Sequence, residues 1–124
     1  MYKLEKTFTI AVAHQLRDTK SLVTKKCAQN IHGHNLVITI IITTNKLVDD
    51  MVIDFGKIKE IVNKLDHKNL NDIFEFNPTA ENIAKYLYDI IEKEYVKLLK
   101  HELIEESIEV IVEESPGAKI TCWE

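Results

Sequence analysis

The sequence predicts an α+β fold, and three observations predict it. Period-two alternation marks strands near both ends of the chain. Two stretches with apolar residues at helical spacing lie between them. The resulting order, β-β-α-α-β-β, lets each consecutive strand pair run antiparallel, with both helices crossing one face of a four-stranded antiparallel sheet. A length of 124 residues, 45% of them hydrophobic, suits a single domain over 1–124 with an ordinary core.

Residues 3–13 alternate, with Phe8, Ile10 and Val12 on one side and Thr7, Thr9 and Ala11 on the other. Residues 15–30 are polar and aperiodic and read as a loop. Residues 34–44 are β-branched and nearly all apolar, which predicts a strand covered on both faces. A turn follows at 45–50. Asp54 can cap a first helix whose apolar face is Phe55, Ile58, Ile61, Val62 and Leu65. Residues 66–77, rich in Asn and Asp, read as a loop. Thr79 then caps a second helix, with Glu81 placed to suit the helix dipole and Ile83, Leu87, Ile90, Ile91 and Leu98 as its stripe. Residues 107–112 alternate again, Pro116-Gly117 turns the chain, and 119–123 form a short fourth strand. Such an open sheet has two edges, which invite pairing with another subunit.

Composition narrows the partners. The formal net charge is −4, and fifteen of the sixteen basic residues are Lys, leaving Arg17 as the single Arg. Groove reading and phosphate clamping lean on Arg and on a basic footprint, so neither nucleic acid nor a membrane surface is expected. The longest apolar run, 36–42, falls far short of the ~18–20 residues of a membrane span. The start, Met1-Tyr2-Lys3-Leu4-Glu5, has no signal-peptide core, and two Cys are too few for a disulfide scaffold. A reduced, cytoplasmic setting is the expectation.

The local chemistry centres on His32-Gly33-His34. Two apart on a strand, both imidazoles project from one face, roughly 6.5–7 Å apart along the chain. His14 ends the first strand and reaches the same spot if the strands pair. Three His with an open fourth position describe a catalytic zinc site; a pair of turn residues is the plainer alternative. Cys27, beside Lys25 and Lys26, is a further ligand, a base or nucleophile, or simply a small buried hydrophobe. Asp66-His67 is a proton-transfer unit or a solvated turn. Alternation puts Glu113 and Glu114 on opposite faces, and one of them can pair bidentately with an amidine-like edge; two solvated strand-end charges are the plainer alternative. Nothing around His101 or Cys122 points to chemistry.

In their order along the chain, these blocks resemble the 6-pyruvoyltetrahydropterin synthase family, including its queuosine-pathway branch, 6-carboxytetrahydropterin synthase. The similar blocks are Phe8-x-Ile10-x-Val12-Ala13-His14, Cys27 with His32-Gly33-His34-Asn35, Met51-Val52-x-Asp54-Phe55, Leu65-Asp66-His67 with Leu70-Asn71, Pro78-Thr79-x-Glu81-Asn82, and Val110-x-Val112-x-Glu114-Ser115-Pro116. The resemblance implies that His14, His32 and His34 bind one zinc per chain, which acidifies the substrate's side-chain hydroxyls. It implies Cys27 as base, Asp66 and His67 as proton relay, and Glu114 as anchor of a pterin ring, with Thr79 and Glu81 nearby. It also implies the tunnelling fold (T-fold), a hexamer of two stacked trimers, and interfacial active sites. The implied substrate is 7,8-dihydroneopterin triphosphate. A net-negative chain must concentrate cations locally to hold a triphosphate, and Lys25, Lys26 and Lys68 adjoin the motifs. The sequence departs from the family in the four residues between Cys27 and His32, in Val12, and in Trp123 where Tyr is usual.

Two products compete: side-chain cleavage to a 6-carboxy pterin, or triphosphate elimination to a 6-pyruvoyl pterin. A Lys/Ile/Asn-rich composition, typical of an AT-rich genome, favours the first. A non-catalytic zinc- or pterin-binding module is the reading from another class, and the presence of Cys27, Asp66 and His67 together speaks against it.

Overall fold

The computed structural model describes residues 1–17, 30–99 and 106–124. The elements run β1 (Tyr2–His14), β2 (His32–Thr44), α1 (Phe55–Asn63), β3 (Lys68–Asn69), α2 (Leu70–Ile73), α3 (Ala80–Leu98), β4 (Glu106–Ser115) and β5 (Ala118–Trp123). Both predicted helices and all four predicted strands form. The sheet differs from expectation: it has five strands in the order β3-β1-β2-β4-β5, and β3 runs parallel to β1.

The register follows from β2. Leu36, Ile38, Ile40 and Ile42 alternate onto one face and are fully buried there, meeting Ile10 and Val12 of β1 and Ile108, Val110 and Val112 of β4. A slip of one residue would turn all four outward, and each buried side chain of this size stabilises by roughly 1.5–3 kcal/mol. The register is thereby held from Tyr2↔Thr44 to His14↔His32. The opposite face of β2 is only partly covered among the described residues, with Ile41 buried, Val37, Thr39 and Thr43 half-buried and Asn35 exposed, short of the expected cover on both faces.

The helices close over the apolar face. Ile58, Ile61 and Val62 of α1 and Ile83, Ala84, Leu87, Tyr88, Ile91 and Tyr95 of α3 complete the core. Asp54 caps α1 by accepting from the Gly56 N–H at 2.9 Å, and Thr79 caps α3 by accepting from the Asn82 N–H at 3.2 Å. Phe55, predicted on the core face, is instead 55% exposed. It stands at the first helical position beside the open edge of β1, where the Lys6 ammonium lies 5.9 Å from its ring centre. Leu98 is also exposed, and Tyr88 and Tyr95 take core positions that an aliphatic stripe did not include.

The predicted loop at 66–77 holds β3 and the single turn α2. His67 adopts φ +59, the left-handed region, and this reversal swings the chain alongside β1. The His67 N–H donates to Ala11 O at 2.7 Å, and the Ala11 N–H donates to Asp66 Oδ1 at 2.9 Å. Two residues of parallel ladder follow, Val12↔Lys68 and Ala13↔Asn69. Gly117, at φ +85, makes the β4–β5 turn that Pro116-Gly117 predicts. Among the described residues, no helix is long and apolar enough to cross a membrane.

Candidate metal centre

The His residues gather because the ladder is antiparallel. His14 pairs with His32, and His34 pairs with Val12 two residues back, so all three imidazoles leave the face that holds the core. Their ring centres stand 4.6 to 4.9 Å apart, each pair edge to face. Gly33 has its own place on the opposite face. A Cβ there would meet Val12 O at 3.7 Å, an ordinary contact, so the fold leaves room for a side chain at this position.

Glu114 joins them. One ligand atom from each of His14, His32, His34 and Glu114 lies within 4.8 Å of all the others. Glu114 Oε1 is 3.3 Å from His14 Nε2 and 3.1 Å from His34 Nε2. Glu114 continues the Ile108-Val110-Val112 alternation onto the face of the histidines, and the β4–β5 ladder shifts register between Glu113 and Ser115. Glu113, one residue earlier, pairs opposite Lys119 and reaches its ammonium at 3.6 Å.

The far nitrogens are already committed. His14, 1% exposed, donates from Nδ1 to Pro78 O at 2.8 Å; a carbonyl only accepts, so Nδ1 carries the hydrogen. His32 Nδ1 donates to Asn30 O at 3.1 Å in the same way. Backbone carbonyls of this kind orient metal-binding imidazoles and fix their tautomers. The Nε2 atoms of His14 and His34 are buried with no hydrogen-bond partner. Three imidazole nitrogens and a carboxylate oxygen that converge in this way fit a zinc-type cation.

The titrations agree with that crowding. Burial pushes the His14 imidazole down, but the Glu114 carboxylate and the Pro78 carbonyl outweigh it, and His14 lies above its ordinary 6.5. His34 lies below 6.5 through burial and the neighbouring His14 and His32, which the Glu114 charge only partly offsets. Glu114 is held below its ordinary value chiefly by the His14 imidazole beside it, with His34 and His32 adding to the effect, against burial.

Asp66 and His67 are outside this cluster. The left-handed turn at His67 lets the adjacent pair meet, Asp66 Oδ1 to His67 Nδ1, at 3.1 Å. His67 is otherwise 80% exposed. With Lys68, also exposed, it lines a cleft along Ala11, Val12 and Ala13. Thr79 spends its hydroxyl on the α3 cap, and Glu81, exposed in the first turn, lines a separate cleft with Ile120, Thr121, Cys122 and Trp123. Cys27, Lys25, Lys26 and His101 lie outside the described residues.

Sequence reasoning missed a clamp beside the centre. Asn71 pairs with the backbone of Gln15 through both ends of its amide, at 2.7 and 2.8 Å. Asn77 does the same for Arg17, at 2.8 and 3.0 Å. The Arg17 guanidinium then donates to the carbonyls of Asn71, Glu75 and Phe76. The chain just after His14 is thus bound to the segment that ends at Pro78. The one signal for it is that the single Arg stands three residues beyond a candidate ligand.

Comparison with known proteins places this arrangement. A 6-pyruvoyl tetrahydrobiopterin synthase of Drosophila melanogaster is 36% identical over 115 residues, covering 82% of this chain and 64% of that protein. A 6-carboxy-5,6,7,8-tetrahydropterin synthase of Aquifex aeolicus is 29% identical over 102 residues, covering 60% of this chain and 62% of that protein. The chain therefore spans less than two-thirds of these curated relatives. The solved structure of Caenorhabditis elegans 6-pyruvoyl tetrahydropterin synthase shares the fold, with a TM-score of 0.68 and 24% identity over 99% of this chain and 95% of that one. The family profile described as 6-pyruvoyl tetrahydropterin synthase matches residues 3–124. That span takes in β1 through β5 and all four residues of the cluster, and the chain belongs to the 6-pyruvoyl tetrahydropterin synthase family.

Proposed function

We propose that the chain is a zinc-dependent 6-carboxy-5,6,7,8-tetrahydropterin synthase, which converts 7,8-dihydroneopterin triphosphate to 6-carboxytetrahydropterin, acetaldehyde and triphosphate for queuosine (7-deazaguanine) biosynthesis. The observation that carries it is the set of His14, His32 and His34, two of whose buried Nε2 atoms have no hydrogen-bond partner. Bound zinc supplies Lewis acidity to the substrate's side-chain hydroxyls. The chain supplies the rest. Glu114 anchors the pterin through its 2-amino and N3 positions. Cys27 takes a proton on one face of the side chain. His67 moves protons on the other, its tautomer set by Asp66 at Nδ1 so that Nε2 is directed away from the pair. Thr79 and Glu81 border the pterin, and Lys25, Lys26 and Lys68 hold the triphosphate.

The working form is a cytoplasmic homo-oligomer, a hexamer built as a dimer of trimers. Two features support a neighbour's contribution. The relay pair stands outside the histidine cluster of its own chain. The outer edge of β1 is paired only at Val12 and Ala13 among the described residues, which leaves most of a thirteen-residue strand open to another copy.

Incubation with 7,8-dihydroneopterin triphosphate tests the reading. The expected products are the 6-carboxy pterin and acetaldehyde. A 6-pyruvoyl pterin without acetaldehyde establishes the second reading, a 6-pyruvoyltetrahydropterin synthase for biopterin synthesis, which the likeness to the Drosophila enzyme over 82% of the chain favours. Cys27→Ala should lose turnover yet keep about one zinc per chain. Normal turnover in that variant removes Cys27 from the mechanism.

A further inference from the structure

We propose that Glu114 is the fourth ligand of the metal centre, so that without substrate the chain's own carboxylate closes it. This rests on the reading that His14, His32 and His34 hold a metal, and goes beyond it, because that reading gives Glu114 only to the pterin.

The spacing is the first argument. Two ligands at about 2.0–2.1 Å from a tetrahedral ion stand about 3.3–3.4 Å apart. Glu114 Oε1 keeps 3.3 Å to His14 Nε2 and 3.1 Å to His34 Nε2, so one oxygen forms a tetrahedral edge with each of two imidazoles. The hydrogen inventory is the second. The Nδ1 hydrogen of His14 goes to Pro78 O, so a neutral His14 aims its lone pair at the oxygen. His34 Nε2 converges on the same oxygen, and neither Nε2 has a hydrogen-bond partner. A single proton answers one of these nitrogens; a cation answers both and the oxygen together. Third, Glu114 follows Ile108, Val110 and Val112 at two-residue spacing onto the face that carries the histidines, while Glu113 takes the opposite face and pairs with Lys119.

The consequence is an exchange. A pterin that recruits the Glu114 carboxylate to its ring removes that carboxylate from the metal, and so opens the fourth position for its own side chain. Substrate binding and opening of the centre are then one event.

Cobalt(II) is the probe, added to metal-free protein, with its visible bands reporting the ligand set; Zn2+ affinity is read by competition with a chromogenic chelator. We expect Glu114→Gln to keep one site per chain, to bind Zn2+ at least about tenfold more weakly, and to show altered cobalt bands. Glu113→Gln, which loses the same charge one residue away, should bind as the unmodified protein does. Adding 7,8-dihydroneopterin to the unmodified cobalt protein should shift its bands towards those of Glu114→Gln. Unchanged affinity and bands in Glu114→Gln, or equal weakening in Glu113→Gln, overturns the ligand role. Bands unmoved by the pterin overturn the exchange. His32→Ala tests the underlying reading separately: if it takes up metal as well as the unmodified protein does, the three-histidine centre itself fails.

Discussion

The two ends of the β1–β2 ladder bury opposite chemistry on one continuous face. At one end Leu4 lies opposite Ile42, with Ile40 and Ile108 beside them, all buried hydrocarbon. At the other end the same alternation delivers His14, His32 and His34. The backbone is alike at both ends. What differs is that the apolar end gains stability from being buried, while the imidazole end leaves nitrogens without partners. The apolar end therefore sets the register, and the imidazole end uses it. The candidate metal centre thus lies at the far end of strands anchored elsewhere.

The largest effect should come from breaking the apolar end. Ile42→Ala removes a fully buried side chain and should cost about 2–5 kcal/mol, read by urea unfolding. If the ends divide labour as described, the folded fraction keeps its Zn2+ affinity; a parallel loss of affinity would show that the centre feels the distant core directly.

Next comes the imidazole end in metal-free protein. His14 is raised, so its contribution is full below 6.5 and lost as pH climbs through the raised value. Glu114 is lowered, so its contribution is full above 4.5 and lost as pH falls through the lowered value. The His14–Glu114 pair should thus stabilise most between pH 4.5 and 6.5. There, after allowance for the partial exposure of Glu114, Glu114→Gln should be less stable by about 1–2 kcal/mol. The gap, followed by thermal melts across pH, should narrow on either side; a constant gap would mean that the two groups do not titrate as a pair.

The smallest effect belongs to the support beneath the centre. Thr79→Ala removes the α3 cap next to Pro78 and should cost about 0.5–1 kcal/mol in chemical denaturation. Little change in Zn2+ affinity is expected, because the Pro78 carbonyl that holds His14 is backbone.

Much of this architecture is legible in the sequence because it rests on period. The Phe8-Ile10-Val12 and Ile108-Val110-Val112 alternations, the two caps and the α1 and α3 stripes, apart from Phe55 and Leu98, appear where the pattern puts them. The histidine cluster is legible too, since it needs only a His-x-His strand and a His at the facing strand's end. β3 is not, because two residues carry no period; a left-handed His67 and the Asp66–Ala11 bond decide it. Glu114 is legible in part: alternation from Ile108, Val110 and Val112 carries it onto the face of the histidines, but the strand pairing that brings it among them is not written in the pattern. The Arg17 clamp is hidden for another reason: its partners are backbone carbonyls, which every sequence has.

The bond from His14 to the Pro78 carbonyl joins residues 64 positions apart. Contacts of such span form only after a long loop has closed, whereas the β1–β2 ladder and α3 grow from nearer neighbours. The oriented histidine is thus expected to form later than the β1–β2 hairpin, in the same class of long-range contact as the β2–β4 ladder. Ion uptake during refolding should trail the appearance of sheet and helix signals, and its rate should time the docking of the α3 start against the end of β1. A nascent chain would expose its histidines early yet hold a metal firmly only once its architecture is complete.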